Sequence, residues 1–184
     1  MKALPFLLPI FLFSLCLQAQ RKIEPPEGYS HDIGTMIVML DNLKGRVESM
    51  VKNLDQESTD FLMDDESNRI GAIIYHLAAT EAYYQVYTFE NRGLTDEENA
   101  EWEVALNLGD AARKKLKEKP IGYYLDIYDK VREKTKTLLK TKDDTWFAAD
   151  NGSMSNQFAW FHVMEHQANH MGQLALITKR LPKN

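Results

Sequence analysis

The sequence predicts an all-α fold, a four-helix bundle with a shorter extra helix between the second and third long ones. Three observations carry that expectation. Apolar residues recur at intervals of three and four through four long stretches, no strand alternation competes with them, and proline, glycine and capping residues fall between them. A chain of 184 residues can bury one core and is too short for two ordinary domains.

After a Pro-rich lead-in, Glu24-Pro25-Pro26-Glu27-Gly28, apolar positions at Ile33, Met36, Ile37, Leu40, Leu43, Val47, Met50, Val51 and Leu54 mark the first long helix. Asp55 to Glu66 is acidic and aperiodic. Ser67 is placed to cap the second helix, which carries Ile70, Ile73, Ile74, Leu77, Tyr84 and Tyr87 on its apolar side. It stops near Asn91-Arg92-Gly93, with Gly93 the expected left-handed terminator. Thr95-Asp96-Glu97-Glu98 has capping-box form and opens the shorter helix, acidic early and basic late, as the helix dipole favours. Gly109 should break or bend that segment. Pro120 and Gly122 precede the third long helix, with Tyr124, Ile127, Tyr128, Val131, Leu138 and Leu139 at helical intervals. Asp143 to Gly152 reads as a loop with Trp146 and Phe147 tucked against the bundle. Ser153 or Ser155 then caps the last helix, which runs to about Arg180 before Leu181-Pro182.

Residues 1–20 read as a signal peptide: Lys2, an apolar run from Ala3 to Leu17, then Leu17-Gln18-Ala19, which has the form of a signal-peptidase site. The run is too short for a spanning helix, so the mature chain, a single domain over 21–184, is expected to be exported to a periplasmic or extracellular space with no stable membrane span. The sole cysteine, Cys16, lies inside this segment. The mature chain therefore has no disulfide, thiolate ligand or cysteine nucleophile. Loss of Lys2 takes the formal net charge from -5 to -6, and a mildly acidic chain without a basic stripe excludes nucleic acid as a partner.

Three of the five histidines, His162, His166 and His170, follow one another at spacings of four in the last helix. Such neighbours lie about 40° apart in azimuth, one turn above another. Val163, Leu174 and Ile177 share their side, so this face turns inward. His76 shares a face of the second helix with Ala72, Ile73, Thr80 and Tyr83 and should also point into the bundle. A lone inward histidine is ordinarily a core residue with one satisfied hydrogen bond. Several converging imidazoles lack acceptors for their N–H groups unless something shared organises them, and a metal between two helices does so. A histidine-lined core without metal is the competing reading.

The segment His166-Gln167-Ala168-Asn169-His170-Met171-Gly172-Gln173 resembles the closing H-x-x-x-H-x-G-Q motif of the DinB-like superfamily, and Ile73-Ile74-Tyr75-His76-Leu77-Ala78 is similar to its first-ligand helix. This group of four-helix metalloproteins includes the mycothiol-dependent and bacillithiol-dependent transferases. Carried over residue by residue, the resemblance implies His76, His166 and His170 as metal ligands and a divalent transition metal, zinc or nickel first, as cofactor. It also implies a homodimer, without locating its interface. Asn169 and Met171 stand where many relatives have His and Arg, which keeps the ligands and removes a positive charge beside the site. The signal peptide is the larger departure, since the thiols used by characterised relatives are cytosolic.

Three protein nitrogens leave a coordination position open, as in catalytic zinc sites. The expectation is thus a metal-dependent hydrolase or transferase acting on a small-molecule substrate, with a metal-bound water as the reactive centre and no protein residue assigned as catalytic. The alternative is a non-catalytic metal- or small-ligand-binding protein. His162 is open between a proton relay beside the ligands, a substitute ligand and a polar residue at the bundle end. Tyr83, Tyr84 and Gln173 are candidate substrate contacts, with packing or capping as their other reading. Glu165, about 100° from His166, is expected to be solvated.

Overall fold

The computed structural model describes residues 22–182; the signal peptide expected over 1–20 lies outside the described residues. In chain order the elements are α1 (His31–Val51), α2 (Gln56–Thr59), α3 (Ile70–Glu90), α4 (Asp96–Asn107), α5 (Gly109–Lys115), α6 (Ile121–Leu139), α7 (Asp144–Ala148), β1 (Asp150–Asn151), β2 (Met154–Ser155) and α8 (Asn156–Arg180). The long helices α1, α3, α6 and α8 form the bundle: α3 packs against α6 and α8, and α1 against α8. Short α4 lies along α3.

Local chemistry corrects several expected boundaries. Ser67 does not cap α3; its hydroxyl donates to the Asp64 carbonyl at 2.9 Å and accepts from the Asp64 N–H at 3.1 Å, which closes a turn, and α3 starts after Arg69. Asn91, not Gly93, takes the left-handed conformation that ends α3, with φ of 51°. Asparagine tolerates that region. The acidic stretch after α1 contains α2, whose amides are capped by Asp55. The expected loop over 143–152 contains α7 and one strand of a small antiparallel hairpin, Asp150 opposite Ser155 and Asn151 opposite Met154. Elements this short leave no periodicity to read. The Thr95–Glu98 capping box forms as expected, the chain breaks between α4 and α5 at Leu108 (φ 53°) and Gly109 (φ 65°), and the Ser155 hydroxyl caps α8 by accepting from the Phe158 N–H at 3.1 Å.

The interior has two apolar clusters. One gathers Val47, Ile70, Ile74, Tyr124, Tyr128 and Leu174; the other gathers Ile33, Ile37, Leu40, Leu139, Phe147 and Trp160. Between them a polar belt ties all four long helices together. Glu81 of α3 accepts two hydrogen bonds of 2.8 Å from Arg132 of α6 and one of 2.6 Å from the Thr135 hydroxyl. Arg132 also donates to Asp41 of α1 at 3.1 Å and to Gln167 of α8 at 3.3 Å. Burial opposes the charge on Arg132, and the attraction and hydrogen bonds of Glu81 overcome it, so its pKa lies above the ordinary arginine value.

At Gly71 helix α3 packs tightly on α6, because a Cβ there would fall on the ring of Tyr124, itself buried. Helix propensity alone predicts that Gly71→Ala stabilises by about 1 kcal/mol. Overpacking predicts a loss of about 1–3 kcal/mol, and we expect the loss to dominate. The sign of the shift in a urea unfolding midpoint decides between them.

Candidate metal centre

Helix α3 brings His76 to α8, where His166 and His170 stand one turn apart. The Nε2 atom of His166 lies 3.0 Å from Nε2 of His76 and 3.1 Å from Nε2 of His170. All three donor atoms fall within 4.8 Å of one another. The rotation of α8 that aims His166 at α3 is held from its other side. Gln167, the next residue, is buried and accepts from Arg132.

The far nitrogen of two rings is already committed. The Nδ1–H of His76 donates to the Ala105 carbonyl on α4 at 2.8 Å, and the Nδ1–H of His170 donates to Gln173 Oε1 at 2.9 Å. Both rings therefore present an Nε2 lone pair to the centre, and His166 has at most one proton to offer to the two. A proton on any ring is also disfavoured. Burial pushes His76 down to about 4, against the opposing hydrogen bond to Ala105. Burial first, then the neighbouring imidazoles, lowers His166 to about 3, and burial lowers His170. Three neutral imidazoles with lone pairs converging fit a divalent cation: nitrogens bound to one ion at about 2.0–2.1 Å stand roughly 3 Å apart when they are neighbours on it.

The remaining sequence candidates sit differently. His162 is half-exposed, its ring 6.0 Å from that of His166, and its Nδ1–H donates to Glu165 at 2.9 Å. Glu165 is exposed, as the sequence suggested, and also accepts from His162; residues three apart on a helix meet across one turn. Tyr84 packs edge-on against His162 at 5.7 Å, and Tyr83 contacts Tyr84 at 5.3 Å. Gln173, read as a substrate contact, has its side-chain oxygen occupied by His170. Ala105 was missed, because a backbone carbonyl from another helix leaves no mark in the sequence.

The family comparison adds to this geometry. A family model described as mycothiol-S-transferase matches residues 35–181, which runs from within α1 to the end of α8 and includes all three histidines. The chain belongs to the mycothiol-S-transferase family. The DinB-like assignment and the all-α bundle stand on that match and on the helices described above. A search of curated proteins found no match. Membership in this family and the three-histidine cluster together point to a divalent metal. Among the described residues no helix is long and apolar enough to cross a membrane.

Depressed histidine pKa values have a consequence for the metal-free protein. The unfolded chain, with histidines near 6.5, binds more protons than the folded one between that value and about 3. Stability is therefore full above pH 6.5 and falls as pH drops through this window. Thermal midpoints of metal-free protein at pH 7.5 and pH 5 test this, and equal midpoints in His76→Gln/His166→Gln/His170→Gln and parent would refute the assignment of the effect to these rings.

Proposed function

We propose that this chain is an exported metal-dependent enzyme of hydrolase or transferase type, in which His76, His166 and His170 hold one divalent transition ion, zinc or nickel. The observation that carries the reading is the convergence of three neutral imidazoles, two of which, His76 and His170, are oriented from behind by Ala105 and Gln173. Outer hydrogen bonds of this kind fix tautomer and ring direction in metal sites. When bound there, a divalent cation supplies Lewis acidity that lowers the pKa of a coordinated water or thiol.

The chain's own groups complete the chemistry. His162, with Nδ1–H held by Glu165, keeps Nε2 free to accept a proton beside the cluster. Burial and the adjacent phenols raise the pKa of Tyr84, so its hydroxyl stays protonated and can donate to a substrate oxygen; the Tyr83 ring packs edge-on against it. Family membership supports transfer to or from a thiol. Hydrolysis is supported by the expectation of a signal peptide over residues 1–20 and by Met171, which brings no positive charge where many relatives have Arg.

The second reading, a non-catalytic metal- or small-ligand-binding protein, is favoured by one observation: the cluster itself contains no carboxylate. Metal analysis of the chain from residue 21 onward, purified metal-replete, tests the first step, with about one ion per chain expected. Absence of stoichiometric metal sinks both metal readings. Ester-hydrolysis and thiol-transfer assays then separate enzyme from binder: turnover that requires the metal supports the first, and bound metal without turnover the second. The mass of the protein recovered from the exported fraction tests export, since an intact residue 1–20 segment there would contradict cleavage.

A further inference from the structure

On the side of α3 away from α8, a cavity of about 540 Å3 opens between α3, α4 and α6. No histidine lines it, so it is separate from the metal centre. Three aromatic rings wall it: Tyr75 of α3, Trp102 of α4, which meets Tyr75 edge-on at 5.6 Å, and Tyr123 of α6. The volume is that of small-molecule pockets, and the lining sets aromatic rings beside polar and charged groups that can orient a ligand.

Some of those polar groups are engaged within the protein and others are not. Gln85 lines the cavity and is 3% exposed. Its amide nitrogen is turned to α6, donating to the Val131 carbonyl at 2.8 Å and the Thr135 hydroxyl at 2.9 Å. The Oε1 acceptor takes no hydrogen bond from any described residue and is not sealed off from solvent, so it is available to a donor that enters the cavity. At the rim, Lys130 and Lys134 stand one turn apart on α6, and neither forms an ion pair with a described carboxylate, whereas Lys136 and Lys44 nearby both do. Of the acids on the α4 wall, Glu98 is already taken by Arg92 and the Thr95 cap, while Glu101 forms no ion pair with a described residue.

We propose that this cavity binds a small aromatic carboxylate carrying a hydroxyl or amino group at the end opposite its carboxylate. The ring lies against Trp102 and Tyr75, the donor reaches Gln85 Oε1, and the carboxylate sits between Lys130 and Lys134. Aromatic faces suit such a ring in offset or edge-on contact, and two lysines one turn apart suit a single anion.

The probe is para-hydroxybenzoate, titrated calorimetrically into the mature, metal-bearing chain. Benzoate lacks the donor and methyl para-hydroxybenzoate lacks the anion, so the ligand-side deletions carry no folding risk. Single-site saturable binding is expected, at least about tenfold weaker for each analogue and for Lys130→Ala/Lys134→Ala, whose thermal midpoint should be unchanged. In His166→Ala the affinity for para-hydroxybenzoate should equal that of the parent, so this site stands or falls independently of the metal. Failure of para-hydroxybenzoate to saturate, binding lost in His166→Ala, or binding indifferent to the two lysines would each overturn the proposal.

Discussion

His166→Ala is expected to leave the mature protein without stoichiometric divalent metal, with affinity reduced by more than about 100-fold. The reason lies in its position: its Nε2 is the atom that both close nitrogen contacts share, at 3.0 and 3.1 Å. Removing it separates the donor on α3 from the donor on α8. Gln173→Ala should be milder, about 10–100-fold, because it removes only the acceptor that orients His170. His162→Ala should leave stoichiometry unchanged, its Nδ1–H being directed to Glu165. Elemental analysis after dialysis against graded chelator ranks the three variants. Full metal retention in His166→Ala would end the assignment of the centre.

The second large effect is on stability and concerns the belt. Arg132→Ala should cost about 3–5 kcal/mol, because it leaves the carboxylate of Glu81 buried without its bidentate partner. Replacing both, Glu81→Leu/Arg132→Met, should recover most of that loss, since two well-packed apolar side chains avoid the desolvation of both charges. Thr135, Gln167 and Asp41 lose partners in the double variant, so full recovery is not expected. Urea unfolding of the singles and the double measures this. A loss below about 1 kcal/mol for Arg132→Ala would mean that the pair is solvated in solution.

The belt also sets how far sequence reading reaches. Apolar spacing identified α1, α3, α6 and α8 because each must bury one stripe, and that stripe is periodic. The same reasoning passed over Arg132 and Glu81, which interrupt their stripes with charge and are comprehensible only as a pair on different helices. Ser67 and Gly93 were chosen by residue preference; Asp64 and Asn91 decided otherwise through local hydrogen bonding and backbone conformation.

By itself the sequence determined the helical class, the four long elements and the histidines at turn spacing, since periodicity and residue chemistry are properties of a single chain segment. Resemblance to a known motif then singled out His76 with His166 and His170. Only the tertiary structure decided that their three Nε2 atoms meet, that Ala105 and Gln173 fix two of the rings, and that His162 turns to Glu165. Those outcomes depend on the rotation and approach of helices distant in the chain. The contacts that set them, Arg132 to Gln167 and Glu81 above all, exist only after folding.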